Sequence, residues 1–136
     1  MAQIANLVLA DGQTTPANKT FVPHTPQHGS EPAVWYEKTS ANPLGYRQIT
    51  LSVVFKANGV SKVRLKIADP VLANLGAGCC VDQNTPQVSY TDIFDATFSL
   101  PSVSTLDNRK DILAYAKNML ANQVMKDAVE SLQSAW

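Results

Sequence analysis

No stretch of this sequence approaches the ~20 consecutive apolar residues of a membrane-spanning helix. Its first residues, MAQIANLVLADGQ, lack the basic start and longer apolar run of a secretory leader, so synthesis in the cytoplasm is expected, with no membrane partner. Catalytic signatures are missing too: there is no phosphate-binding glycine loop and no nucleophile elbow. The two histidines, His24 and His28, fall in the turn-rich connector TPQHGSEP and its flank. With no cysteine near them in sequence they read as a solvated loop rather than a metal site. Cofactor, metal and enzymatic activity are therefore not expected.

Cysteine is scarce and oddly placed. The chain has only two, Cys79 and Cys80, side by side in NLGAGCCVDQNTPQ. Adjacent Cα atoms are about 3.8 Å apart, whereas an ordinary disulfide spans roughly 4.4 to 6.8 Å. The two are poor partners for each other, which leaves pairing with another chain, binding something, or remaining free.

Acidic residues are absent over a long interval. The chain carries 11 Lys and Arg against 11 Asp and Glu, a net charge of zero. Yet Lys38 to Ala68 contains Lys38, Arg47, Lys56, Lys62, Arg64 and Lys66 with no Asp or Glu. A basic block inside a neutral protein suggests a local field directed at an anion.

What is present has an α+β order, strand-like first and helical in the last quarter. A chain of 136 residues suits a single domain (1–136), β-rich over about 1–103 with a long loop at 69–87, and helical over about 104–134. IANLVLAD, Asp11-Gly12 and KTFV suggest an N-terminal β-hairpin, and AVWYEKT a short strand. YRQITLSVVFK sets Ile49, Leu51, Val53 and Phe55 on one face, and SKVRLKI does the same with Val63, Leu65 and Ile67. Because cross-strand partners share a face, an Asn58-Gly59 two-residue turn is excluded. A loop of Asn58, Gly59 and Val60 is expected instead, pairing Phe55 with Val63, Val53 with Leu65 and Leu51 with Ile67. That register sets Ser52 beside Lys66 and Val54 beside Arg64.

VSYTDIFDATFSL reads as a long strand whose two halves disagree in parity, so a bulge near Phe94 to Ala96 is expected. Ser104 with Asp107 resembles a helix start. Ile112, Leu113, Ala116, Met119 and Leu120 form one apolar stripe; Val124, Met125, Ala128, Val129 and Leu132 form a second, with LANQ a break between them. Two short helices are thin cover for a sheet with one apolar face, so a second copy of the chain is the natural cover. The opposite face is left wet and positive, with lysines and an arginine for phosphates and hydroxyls for bases or sugars. Tyr90, if on that face, offers a stacking platform.

The order of elements, together with ITLSVVF, SKVRLKIADP, SYTDIFDATFSL and LANQVMKDAVESLQSAW, resembles the coat proteins of single-stranded RNA bacteriophages, the leviviruses, in the subgroup with cysteines in the long loop. The resemblance covers essentially the whole chain. It implies an N-terminal β-hairpin, an antiparallel five-stranded sheet and two C-terminal helices, in an intertwined homodimer with a continuous sheet. It further implies assembly in the bacterial host cytoplasm into an icosahedral virion of triangulation number three. The sheet's bare face would package single-stranded RNA and bind a stem-loop as a translational repressor of the replicase. Carried over by position, the RNA-binding set is Thr50, Ser52, Lys56, Lys62, Arg64, Lys66, Tyr90 and Asp92. An alternative alignment puts Ile93 and Asp95 in the slots of Tyr90 and Asp92. The resemblance also implies that Cys79 and Cys80 form inter-dimer disulfides. Two other classes share the basic face: a dimeric β-sheet nucleic-acid regulator that builds no shell, and a binding protein for a small anion.

Overall fold

A computed structural model describes residues 3–73 and 86–135. Cys79 and Cys80, and the pairing expected of them, lie outside the described residues. Contacts divide the chain into two compact units, Met1–Ser99 and Leu100–Trp136.

The first unit is built on a sheet in which every strand neighbours the next in sequence: β1 (Leu7–Ala10), β2 (Asn18–Thr25), β3 (Ala33–Glu37), β4 (Arg47–Phe55), β5 (Val60–Leu72) and β6 (Val88–Pro101). Six strands replace the five expected, because the N-terminal hairpin is continuous with the rest. That hairpin pairs Leu7 with Phe21 and Ala10 with Asn18. Asp11 closes its loop, its Oδ1 accepting from the Ala17 amide at 2.9 Å.

The β4–β5 hairpin has the expected faces but not the expected register. Leu51 pairs with Leu65, Ser52 with Arg64, Val53 with Val63 and Phe55 with Ser61, two residues away from the predicted partners. The loop has three residues, as expected, but they are Ala57, Asn58 and Gly59. The Lys56 amide donates to Val60 O at 3.1 Å across its base. A three-residue hairpin loop needs its last residue in the left-handed region. Gly59 takes it, at φ 77°. The predicted loop would have put β-branched Val60 there, where its side chain is disfavoured.

β5 also runs past Asp69-Pro70 to Leu72, so the long loop begins later than 69. Proline is tolerated because β4 begins at Arg47, level with Asp69; beyond it no β4 carbonyl awaits the missing donor. Similarly, β2 extends through His24 to Thr25, absorbing Pro23 at a register shift against β3. Past Ala33, β4 loses its β3 neighbour, and the Gln27 side chain takes that place. Its Oε1 accepts from the Val53 amide at 2.9 Å, and its Nε2 donates to Val53 O at 2.6 Å.

The apolar face gathers Phe21, Ala33, Trp35 and Ile49 as a buried cluster, with Ile4, Leu7, Leu51, Leu65 and Ile67 packed against it. Trp35 Nε1 donates to Ala5 O at 2.9 Å, tying the N-terminal segment to this core. At the end of the same face stands a charged row. Glu37 is buried, Arg47 Nη1 reaches its Oε2 at 3.0 Å, and Arg47 Nε reaches Asp69 Oδ1 at 2.9 Å. Burial pushes the Glu37 carboxyl upward, but hydrogen bonds from Thr39 and Arg47, with the Arg47 charge, outweigh it and hold the group below its ordinary value.

The second unit holds α1 (Leu106–Leu120) and α2 (Gln123–Glu130). The helix start lies one residue beyond Ser104: Thr105 is the N-cap, its side chain accepting from the Asn108 amide. The break falls at Ala121-Asn122, where Asn122 caps α2. Ile112, Leu113, Met119, Leu120, Val124 and Val129 from the two apolar stripes are all exposed in the single chain.

Candidate nucleic-acid interface

Strand alternation and register decide which side chains share the polar face. Val34 pairs with Thr50 and Thr50 with Lys66; Ser52 pairs with Arg64 and Val54 with Lys62. The even-numbered residues of β4 and β5 therefore stand together, opposite the core. Near the hairpin end they line a shallow, open depression with Lys56, Asp95 and Thr97. Lys62 and Lys66 are half-buried along their stems, and Arg64 is exposed.

One carboxylate enters this basic surface. Arg64 Nε donates to Asp95 Oδ1 at 2.9 Å, and Arg64 Nη2 donates to the other carboxylate oxygen. The hydrogen bonds from Arg64 hold the Asp95 carboxyl below its ordinary value, against a smaller opposing effect of desolvation, with the Arg64 and Lys66 charges assisting. The same pair raises the Arg64 guanidinium further above its already high value. Arg64 is thus held by a fork of two parallel bonds, while Lys56, Lys62 and Lys66 make no ion pair among the described residues.

The placement of Asp95 settles the parity of β6. Phe94, Ala96, Phe98 and Leu100 are half-buried and Ile93, Asp95, Thr97 and Ser99 exposed, an alternation without a break. That alternation runs straight through Phe94 to Ala96, where a bulge is expected from the sequence. Asp95 stands beside Arg64. Tyr90 and Asp92 are exposed and share the parity of Phe94, not that of Asp95. Of the expected set, Ser52, Lys56, Lys62 and Arg64 border the depression, Thr50 and Lys66 continue it along the strands, and Tyr90 and Asp92 do not line it. Thr97 was not foreseen. Counting back from Phe98 and Leu100 alone finds both Thr97 and Asp95.

A second group on the polar face escaped the sequence reading. Tyr36 pairs with Gln48, so it stands on the side of Thr50 and Ser52. The His24 ring packs edge-on against it with centroids 5.0 Å apart, and the Tyr46 ring lies tilted at 6.3 Å. Among the described residues, no three His, Cys, Asp or Glu side chains form a metal-binding group.

Comparison with known proteins agrees over the full length. The family model for levivirus coat proteins matches residues 2–136. The capsid protein of Pseudomonas phage PRR1 is 28% identical over 137 residues, covering 99% of this chain and 100% of the relative. Among solved structures, the virus-like particle of bacteriophage NT-214 is 58% identical with a TM-score of 0.93, covering 99% of this chain and 100% of that one. The virus-like particle of bacteriophage ESE058 is 33% identical with a TM-score of 0.88 and the same coverage.

Proposed function

The chain belongs to the levivirus coat protein family, a family of capsid proteins, and from that premise we propose that it assembles as homodimers into an icosahedral shell around single-stranded RNA. The 136 residues act as one coat-protein domain, and the product is the virion, put together in the bacterial cytoplasm. The observation that carries the RNA assignment is the polar face of β4 and β5. There Lys56, Lys62 and Lys66 stand unpaired among the described residues beside Thr50 and Ser52, and the single carboxylate lining the depression is neutralised by Arg64. Cations at strand spacing suit phosphates, and the hydroxyls and the Arg64–Asp95 fork suit base edges. A stem-loop presenting unpaired bases fits such a surface, which supports a repressor role at the replicase start. Tyr90 and Asp92 do not line the depression, so the slot of Asp92 is assigned to Asp95 and that of Tyr90 to Ile93.

Dimerisation has separate support. The apolar stripes of α1 and α2 are exposed in the single chain, and a second copy would cover them. Cys79 and Cys80, which lie outside the described residues, are assigned to bonds between neighbouring dimers. The test is electron microscopy of the protein expressed alone in bacteria, with the absorbance ratio of the same fraction. Closed shells rich in nucleic acid are expected. Dimer-sized particles under all conditions would refute the capsid assignment in favour of a shell-less regulator.

A further inference from the structure

We propose that His24, Tyr36 and Tyr46 form a stacking platform for unpaired bases of single-stranded RNA, separate from the basic depression and reading no sequence. The proposal rests on the assignment of the polar face to RNA, and adds to it a second kind of contact on different strands.

Position comes first. Tyr36 lies on β3 and pairs with Gln48, while its neighbour two residues back, Val34, pairs with Thr50 and so aligns with Lys66. Tyr36 and Lys66 are therefore on the same face, two strands apart and one alternation step along. At about 4.8 Å between strands, that places the ring within roughly 10 to 15 Å of the lysine. A chain crossing the sheet can meet both.

The rings are held rather than loose. Tyr46 follows the short 3-10 turn Pro43–Gly45 and donates its amide to Pro43 O at 3.2 Å, which fixes its approach to Tyr36. His24 sits where Pro23 and the register shift interrupt β2, and its ring meets Tyr36 edge-on. Tyr36 and Tyr46 remain partly open, and His24 is exposed.

The surroundings favour a base over other occupants. Along β2, β3 and β4 this face offers Val22, His24, Val34, Tyr36, Gln48, Thr50 and Ser52, none of them acidic. A nearby carboxylate would repel the phosphates that accompany any stacked base; Glu37, the carboxylate next in sequence, is turned to the buried face instead. Aromatic rings beside unpaired cations are the combination that binds single strands without sequence preference.

The test uses the full chain, disassembled, with a short oligouridylate as the probe and anisotropy read at several salt concentrations. Tyr36→Leu keeps apolar bulk and removes the ring; about tenfold weaker binding with an unchanged salt slope is expected, the size of one lost base stack. Tyr36→Phe should bind as the parent does. Lys66→Ala serves as the reference for the basic face and should lower the salt slope. If Tyr36→Leu binds like the parent while Lys66→Ala binds less well, the platform is refuted and the RNA face stands. If the parent itself does not bind the probe, both fall. Ultraviolet cross-linking of RNA-filled particles needs no variant: nucleotide adducts on His24, Tyr36 or Tyr46 are expected, and adducts confined to β4, β5 and β6 would overturn the proposal.

Discussion

Replacing Arg47 by methionine isolates the charged row at the end of the apolar face. The Glu37 side chain is 3% exposed and receives Arg47 Nη1 at 3.0 Å, with the Thr39 hydroxyl donating to its other oxygen. Methionine preserves much of the stem but leaves the buried carboxylate with Thr39 alone. Removing one partner of a buried pair costs about 3–5 kcal/mol. Arg47 is itself 37% exposed and its second partner, Asp69, 43%. Solvent screens that half of the row, so it adds little, and the partial exposure of Arg47 discounts the buried half to about 2–3 kcal/mol. For a chain of this size the melting temperature should fall by roughly 10 °C. The assay is urea unfolding of disassembled protein at one fixed concentration, because association raises apparent stability.

The same variant carries a pH signature. In the parent, Glu37 has a folded pKa below its unfolded value. Its contribution is therefore complete above the unfolded value and lost as pH falls through the folded one. In Arg47→Met, burial is opposed only by the hydrogen bonds from Thr39, so the folded pKa rises relative to the parent and protonation relieves the variant. The gap between the two proteins should narrow as pH drops below the ordinary glutamate range. Adding Glu37→Gln should recover about 2 kcal/mol of the loss. A loss under about 1 kcal/mol, or costs that simply add in the double variant, would refute the reasoning.

Three further outcomes are expected. Asp95→Asn should strengthen RNA binding and steepen its salt dependence, since Arg64 becomes free to neutralise a phosphate; an unchanged slope in a filter-binding titration would show that Arg64 faces no phosphate. Gly59→Val should destabilise the β4–β5 hairpin by about 1–2 kcal/mol, because the loop requires a positive φ at that position; urea unfolding reads the loss, and a neutral result would mean that another register is accessible. Cys79→Ser with Cys80→Ser should leave assembly intact and lower the melting temperature of particles only under oxidising conditions; equal melting would exclude inter-dimer bonds.

Period-two patterning made the two faces of β4 and β5 legible before any coordinates, because burial on one side leaves a strand no other arrangement. Register was less legible. A three-residue loop follows from parity, but where it sits depends on one backbone dihedral, and Gly59 rather than Val60 can adopt it. The β6 conflict had the opposite origin. Phe94, Ala96, Phe98 and Leu100 follow one rule, while Val88 to Asp92 are exposed throughout and carry no inside–outside signal. The polar face was therefore readable on β4 and β5, where charge marks it, and ambiguous on β6. The aromatic row is invisible in the sequence because its members come from separate segments: His24 falls in what reads as a turn-rich connector, and only the pairing of β2 with β3 brings it to Tyr36.

The Arg64–Asp95 fork gives the polar face of β4 and β5 an internal counterion. A mobile ion in solution is diluted or exchanged as conditions change, but a tethered carboxylate keeps the same local concentration at every ionic strength. Any incoming phosphate competes with it at Arg64, and a polyanion touching that point alone gains little by winning. A polyanion that also reaches Lys56, Lys62 and Lys66 would make the exchange as one part of a larger association. If this face takes RNA as proposed, the pair favours a polyanion that reaches several lysines over one that touches Arg64 alone, by the small margin an exposed ion pair supplies.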